Sequence, residues 1–234
     1  MSQDNTASAT LRELAENACH FGHKVSRWNP KVAPYLWGKK GGVHIFDLDK
    51  TATALMRVSD EIKQLSENGK IILFVSTKPQ TKSILQEIHS SKGHPVVSEK
   101  WVGGLLTNFD TIKQRIRRLK EVREMLATGE IEKFPKKEQA QIKKDQERLE
   151  TLFGGIADMY RMPDALFVVD GVRDHIAIKE ANRLGIPVYG IVDSNTDPDG
   201  YRDFIPANDD AITSLSFLLG KIFTVLAPLP KAKK

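Results

Sequence analysis

The chain has 234 residues, of which 40% are hydrophobic and 28% charged, a balance that excludes an intrinsically disordered protein. Its 35 lysines and arginines exceed its 30 acidic residues, which gives a net charge of +5. A single cysteine, Cys19, excludes an intrachain disulfide and a multi-cysteine zinc site. We see no signal peptide in the first ten residues and no apolar run near the roughly 18 residues that span a bilayer, so we expect a cytoplasmic protein with no membrane partner.

After a short predicted helix at Leu11–Ala18, the segment Asn17–Phe46 contains no aspartate or glutamate. Its cations alternate with aromatic rings, a combination that can neutralise phosphates and stack on exposed bases or riboses. The candidate RNA-binding residues of this segment are Lys24, Arg27, Trp28, Lys31, Lys39 and Lys40. Its prolines and the Gly41-Gly42 pair predict that much of its backbone is irregular. The alternative is a loop whose tryptophans belong to the core and whose lysines are merely solvated.

Apolar runs and helical periodicities alternate along much of the remaining chain. The predicted strands are Val43–Phe46, Ile71–Val75, Val96-Val97, Ala165–Val169 and Val188–Val192. The predicted helices are one that ends at Asn68-Gly69, then Gln80–His89, Ile176–Leu184 and Ala211–Ala227, the last capped by Asn208 or Asp209. Alternating strands and helices predict an α/β fold with a doubly wound parallel sheet.

A helical insertion interrupts this alternation between Thr107 and Leu152. Apolar residues recur at heptad-like spacing in two runs, namely Ile112, Ile116, Leu119 and Leu126, then Ile142, Leu149, Phe153 and Ile156. They predict an antiparallel α-helical coiled-coil hairpin that turns at Thr128-Gly129 and Pro135. We therefore expect a discontinuous core, residues 1–106 and 153–227, a hairpin at 107–152 and a short basic tail at 228–234.

The first helix of this hairpin carries more candidate RNA-binding residues: Lys113, Arg115, Arg117 and Arg118. An arm too narrow to bury a core of its own is suited to reaching a partner. The alternative is a solvated surface stabilised by ion pairs between residues three or four positions apart.

One enzymatic alternative rests on Asp47 and Asp49, which follow the predicted strand Val43–Phe46. This arrangement resembles the opening of Mg-dependent haloacid-dehalogenase-like phosphohydrolases, where the first aspartate is the nucleophile and the second an acid/base. Lys50 departs from that pattern, because a glycine usually follows the second aspartate. The structural alternative is that Asp49 caps a helix beginning near Thr51 and that Asp47 pairs with a cation of the preceding basic segment.

A possible Zn²⁺ or Mg²⁺ site is suggested by His23, Asp193 and Asp209. The two aspartates lie just after a predicted strand and just before the last helix, and the carboxyl ends of parallel strands gather such loops in one crevice. The sequence favours the structural alternative, in which these aspartates accept hydrogen bonds from turn amides and cap the helix.

Five blocks, which together cover nearly the whole chain in order, carry a family resemblance. They are FGHKVSRWNPKVAPYLWGKKGGVHIFDLDKT (Phe21–Thr51), WVGGLLTNFDTI (Trp101–Ile112), GGIADMYRMPDALFVVD (Gly154–Asp170), HIAIKEANRLGIPVYGIVDSNTDPDG (His175–Gly200) and IPANDDAI (Ile205–Ile212). They resemble the bacterial S-two family of small-subunit (30S) ribosomal proteins.

The resemblance implies a flavodoxin- or Rossmann-like core and a non-enzymatic structural constituent of the 30S subunit. It implies binding to 16S rRNA and to neighbouring 30S proteins, with a hairpin that packs against both. It also implies a position near the mRNA exit that helps recruit the mRNA-binding ribosomal protein S-one. No cofactor is required and no small-molecule substrate is expected.

Overall fold

The computed structural model describes residues 10–230, which open with a helix, α1 (10–16), and a small antiparallel sheet. Its strands β1 (Phe21–Lys24), β2 (Leu36–Lys40) and β3 (Val43–Phe46) pair in the order β1-β3-β2. The rest of the segment forms 3-10 helices and turns, in agreement with the prediction that much of its backbone is irregular, but strands β1 and β2 were not predicted. Both missed strands lie at edges, and their sequences, FGHK and LWGKK, lack the apolar alternation by which strands are recognised.

A second sheet of five parallel strands forms the centre of the molecule. The strands are β4 (Ile72–Val75), β5 (Val96–Val97), β6 (Ala165–Val168), β7 (Val188–Val192) and β8 (Asp203–Pro206), in the order β5-β4-β6-β7-β8. The predicted parallel sheet is confirmed, and the order is that of flavodoxin-like doubly wound folds. The strand Val43–Phe46, however, belongs to the antiparallel sheet. Strand β8 takes the fifth place, and its sequence DFIP, with a charge first and a proline last, gave no strand signal.

Helices cover both faces of the parallel sheet. They are α2 (Leu48–Glu67), α3 (Lys82–Glu87), α4 (Phe109–Ala127), α5 (Lys136–Phe153), α6 (His175–Arg183) and α7 (Ile212–Val225). Because side chains alternate along a strand, Leu73 and Val75 of β4 enter one hydrophobic core and Ile72 and Phe74 enter the other. The first core contains α6 with the base of α4 and α5, and the second contains α1, α2, α3 and α7.

Helices α4 and α5 form the predicted helical segment and are joined at residues 128–135. Gly129 makes the turn with a φ of +74°. Near the base, Ile116, Leu119 and Leu149 are buried in the same core as the sheet. Towards the tip, Val122 and Ile131 are buried outside that core, while Leu126 and Ile142 are only half-buried. No helix within residues 10–230 is both long and apolar enough to cross a membrane.

The buried carboxylate of Glu180 on α6 fixes the loop that leads into α4. It accepts hydrogen bonds from the backbone amides of Gly104, Leu106 and Thr107 at 2.7 to 3.0 Å, from the Thr107 hydroxyl and from the Trp101 indole. Burial alone would raise the pKa of Glu180, but these donors outweigh it and lower the pKa. This anchor could not be predicted from local sequence, because its donors lie more than 70 residues away.

Candidate nucleic-acid interface and metal centre

The antiparallel sheet β1-β3-β2, which we call the basic sheet, presents two lysines in one row. Lys24 of β1 and Lys40 of β2 both lie opposite Val43 of the central strand. Residues directly opposite each other in a sheet share a face, and two strand spacings separate these lysines by about 10 Å. Both are exposed, and neither makes an ion pair within residues 10–230. The row therefore offers two unneutralised positive charges to one ligand.

Arg27 and Lys39 are two more exposed cations of this segment, although Lys39, next to Lys40 on β2, lies on the other face of the sheet. Arg27 ends the 3-10 turn that follows β1, and Lys39 lies opposite His44. Both side chains are exposed and have no carboxylate partner in the described part of the chain. Four of the five cations predicted in this segment are thus free to contact a phosphate.

The fifth cation, Lys31, is already neutralised. Its ammonium lies 2.9 Å from Asp197 and 2.5 Å from Asp199, in the loop that follows β7. These hydrogen bonds raise the pKa of Lys31. The sequence could not reveal this pairing, because the partners lie some 166 residues away. Lys31 connects two segments of the fold, and its charge is less available to a phosphate than the charges of its unpaired neighbours.

The two tryptophans of the segment differ in how much of each ring is exposed to solvent. Trp28 is half-buried and stacks on His44 with ring centroids 4.8 Å apart, so only part of its surface is available. Burial and the nearby Lys39 lower the pKa of His44, which keeps this ring neutral. Trp37 on β2 is 75% exposed. It is the aromatic ring best placed to stack on a base, although the sequence favoured Trp28.

The four predicted cations of α4 are all exposed but do not share one face. Lys113 and Arg117 are four positions apart and lie on one stripe, and Arg115 and Arg118 lie on another. Lys113 pairs with Asp110 at 3.3 Å, and Arg118 pairs with Glu121 at 3.6 Å. Arg115 and Arg117 make no ion pair within residues 10–230.

Helix α5 adds exposed cations that were not predicted from the sequence. They are Lys136, Lys137, Lys143, Lys144 and Arg148, and none makes an ion pair in the described part of the chain. The lysine doublets Lys136-Lys137 and Lys143-Lys144 are the sequence feature that could have indicated this positive surface. Interspersed acidic residues in the same helix concealed it.

The three predicted metal ligands come together at the carboxyl edge of the parallel sheet. One potential ligand atom from each of His23, Asp193 and Asp209 lies within 4.8 Å of those of the other two. The Nδ1 atom of His23 is 3.1 Å from Asp193, and its Nε2 atom is 3.1 Å from Asp210. The hydrogen bond to Asp193 raises the pKa of His23 and outweighs the opposing effect of burial.

The same edge holds Lys78, which follows β4. Its buried ammonium lies 2.6 Å from Asp209, 2.7 Å from Asp210 and 3.1 Å from Asp170. Burial would lower the pKa of Lys78, but these carboxylates outweigh it and raise the pKa. Burial, together with the charge of Asp193, raises the pKa of Asp209. We use the name carboxyl-edge cluster for the following residues: His23, Lys78, Asp170, Asp193, Asp209 and Asp210.

Of the two structural roles predicted for these aspartates, hydrogen bonding to turn amides and helix capping, the structure shows only the first. Asp193 accepts hydrogen bonds from the amides of Ser194 and Asp209, at 2.5 and 3.1 Å. Asn208 accepts from the amides of Asp210 and Ala211, just before α7 begins at Ile212. Asp209 therefore does not cap the helix.

Asp47, one of the two aspartates on which the phosphohydrolase alternative rests, has a local structural role. Helix α2 begins at Leu48 rather than near Thr51, and Asp47 is its N-cap, with its side chain 3.1 Å from the amide of Asp49. Asp47 also pairs with Lys50 at 3.3 Å, not with a cation of the basic segment. The expectation that Asp49 caps the helix is thus wrong. The two aspartates follow a strand of the antiparallel sheet and belong to no ion pair of the carboxyl-edge cluster.

Comparison with known proteins agrees with this non-enzymatic arrangement. Residues 14–227 match the family described as ribosomal protein S2. Two curated relatives, from two strains of Porphyromonas gingivalis, are each named small ribosomal subunit protein uS2 and are 44% identical to this chain. Each alignment spans 208 residues, which is 89% of this chain and 74% of the relative. The chain therefore belongs to the ribosomal protein S2 family, a family of structural proteins and not of enzymes.

Proposed function

We propose that this protein is a structural constituent of the small ribosomal subunit in the cytoplasm and that it binds 16S rRNA through the basic sheet. The observation that carries the proposal is the row of Lys24 and Lys40 on one face of the basic sheet, with no carboxylate partner within residues 10–230. Arg27 and Lys39 are exposed and unpaired in the same part of the chain. Each such cation can neutralise a backbone phosphate and release its counterion. Trp37 supplies an exposed ring beside them.

The helical hairpin provides a second positive surface for the same partner. Arg115 and Arg117 on α4 and the lysine doublets on α5 project from helices joined to the core at one end. Because these cations lie on several stripes, the arm is suited to contact rRNA on one side and a neighbouring 30S protein on another.

The experiment that tests rRNA binding measures the salt dependence of affinity for a 16S rRNA fragment. Replacing both Lys24 and Lys40 with alanine should weaken binding and reduce the slope of log K against log salt by about two, roughly one for each lost phosphate contact. Lys31→Ala is the matched control, because its charge is already neutralised by Asp197 and Asp199. An unchanged slope in the double variant, or an equal loss in the control, would show that the cations of the basic sheet are only solvated and do not bind rRNA.

We further propose that the protein helps recruit ribosomal protein S-one near the mRNA exit. The support for this step is the family resemblance over nearly the whole chain. The test is sedimentation of 30S particles reconstituted with and without this protein. S-one should co-sediment only with the complete particles, and equal amounts of S-one in both would contradict the proposal.

We also propose that residues 107–152 form a coiled-coil arm on a core made of residues 1–106 and 153–227, with a basic tail at 228–234. Residues 231–234 of that tail lie outside the described part of the chain. Replacing residues 110–150 with a short Gly/Ser turn should leave a cooperatively folding core. A shorter deletion, 120–148, retains Ile116, Leu119 and Leu149, which pack in the sheet core. If only the shorter deletion folds, the boundary lies further out along the helices and the division at 107 and 152 is wrong.

A further inference from the structure

The amino edge of the parallel sheet, where its strands begin, carries an aromatic ring among cations. Tyr160 lies in the loop before β6 and is 56% exposed. The guanidinium carbon of Arg161 is 5.8 Å from the centroid of this ring. Arg161 and Lys70, which precedes β4, both pair with Asp164, at 2.7 and 3.2 Å. One carboxylate thus faces two cations, which leaves one positive charge in excess.

Lys92 adds a cation to the same surface. It makes no ion pair within residues 10–230, and its ammonium lies 4.9 Å from the centroid of the Phe223 ring. Gly93, Leu229 and Tyr160 border one small cavity, and the Leu229 amide donates to the Lys92 carbonyl at 2.7 Å. Lys92 and Tyr160 therefore belong to one continuous surface.

The end of the described chain is fixed at this surface. Pro230, the last described residue, lies beside Gly69, since a Cβ on that glycine would be 3.7 Å from Pro230 Cγ. The sequence continues with three more cations, namely Lys231, Lys233 and Lys234. Their charges are therefore tethered close to Lys70.

Two carboxylates of this region are engaged elsewhere. Asp158 borders the same cavity as Tyr160 but pairs with Lys120 of α4 at 3.4 Å. Glu67, near the end of α2, lies 3.9 Å from Lys63 on the same helix. The surface around Tyr160 therefore keeps a net positive charge.

We propose that an unpaired segment of RNA binds to the amino-edge patch, by which we mean Lys70, Lys92, Tyr160, Arg161 and the lysines at positions 231, 233 and 234. Proteins that bind single-stranded nucleic acid combine cations that follow the phosphates with rings on which bases stack. Tyr160 offers the ring, and the cations around it can neutralise the phosphates. An acidic protein surface would use the cations but not the face of the ring, so the exposed ring favours RNA.

The amino-edge patch is separate from the basic sheet, although the kind of RNA that it binds rests on the proposed function. The basic sheet joins the opposite end of the strands, where the amides of His23 and Asn29 donate to Oγ and to the carbonyl of Ser194 at 2.8 and 2.7 Å. Ser194 follows β7, and strands of four or five residues separate the two ends by about 13 to 17 Å. Two such surfaces can hold two segments of RNA together.

The test measures the affinity of the RNA-free full-length protein for a fluorescent uridine dodecamer by anisotropy. The parent protein carries Lys24→Ala and Lys40→Ala, so that the basic sheet contributes little. Tyr160→Ala should weaken binding about 5- to 100-fold, the range expected for the loss of one stacked base. Tyr160→Phe, which keeps the ring, should bind as its parent does. Met56→Ala is the matched control, because Met56 is 59% exposed on α2 and belongs to neither surface.

A crosslink adds a readout that locates the RNA. With 4-thiouridine in the dodecamer, ultraviolet light should join the RNA to the peptide that contains Tyr160, and Tyr160→Ala should abolish this product while Met56→Ala keeps it. Absence of the crosslink, or equal affinity of Tyr160→Ala and its parent, would overturn the proposal.

These outcomes are distinguishable from failure of the proposed function. If Lys24→Ala with Lys40→Ala still weakens binding to the 16S rRNA fragment, only the amino-edge patch is wrong. If the wild-type protein binds neither the fragment nor the dodecamer, both proposals are wrong. Loss of Tyr160→Ala from 30S particles with no change in RNA affinity would assign the patch to a protein partner and would also overturn the proposal.

Discussion

Glu180 offers the sharpest test of how the helical arm is attached to the core. Its carboxylate accepts five hydrogen bonds from Trp101, Gly104, Leu106 and Thr107, and the residue is only 8% exposed. We consider Glu180→Gln, which keeps the size and shape of the side chain but replaces one acceptor oxygen with an amide group. That group cannot accept a hydrogen bond and would face donors.

The expected loss of stability follows from the donors left without an acceptor. Glu180 Oε1 receives two donors and Oε2 receives three, so glutamine leaves at least two of the five unpaired, whichever way its amide is oriented. Each unsatisfied buried donor costs ~1–3 kcal/mol. We therefore expect the free energy of unfolding to fall by about 3 kcal/mol. At ~2–4 °C per kcal/mol for a chain of this size, the melting temperature should fall by roughly 6 to 12 °C.

The pH dependence of this loss distinguishes the carboxylate from simple packing. The pKa of Glu180 is lowered in the folded protein, so its contribution is fully present above the unfolded value of about 4.3 and is lost as the pH falls through the folded value. Urea denaturation at neutral pH should therefore separate the wild-type protein from Glu180→Gln, and the difference should shrink below about pH 4.

The matched control for this experiment is Glu67→Gln. Glu67 is an exposed residue near the end of α2 that lies 3.9 Å from Lys63. The Glu67→Gln substitution should change the free energy of unfolding by less than about 0.5 kcal/mol. If Glu180→Gln stays within that same margin at neutral pH, the carboxylate does not anchor the loop and our account of the attachment is wrong.

Two further predictions concern local roles. Asp47→Ala should lower the free energy of unfolding by about 1 kcal/mol through loss of the N-cap, while Asp47→Asn, which keeps the acceptor, should change it less. RNA-free protein should not hydrolyse small phosphate esters, and turnover that vanishes in Asp47→Asn would contradict a purely structural role. Gly155→Ala should unfold at clearly lower urea than the wild type, because its Cβ would lie 2.4 Å from the Val96 carbonyl oxygen. Gly103→Ala, whose Cβ would meet nothing within 4 Å, should behave almost as the wild type, and an equal loss in both would show that this contact is not limiting.

Much of the candidate metal centre was predictable from topology. Asp193 and Asp209 follow β7 and β8, and neighbouring parallel strands end at the same edge of a sheet. The sequence did not show which carboxylates pair with Lys78, or that Asp209 keeps one oxygen without a partner. Those facts depend on side-chain directions that no spacing rule specifies.

The basic segment was predicted from local composition, but the arrangement of its cations in space was not. Local composition identified Lys24, Arg27, Lys39 and Lys40, and the structure leaves them free of carboxylates in the described residues. The same composition also named Lys31, whose charge is neutralised from a distant loop.

The sequence alone determined the elements whose signals are local. The continuous apolar runs at Ile72–Val75, Ala165–Val168 and Val188–Val192 specify buried parallel strands, and heptad-like spacing specifies α4 and α5. Only the tertiary structure decided which strands pair, since β1, β2 and β8 are defined by their neighbours and not by their own alternation. It also decided which charges are free and which are paired. An ion pair such as Lys31 with Asp197, or an anchor such as Glu180, forms only when folding brings together side chains that are distant along the chain.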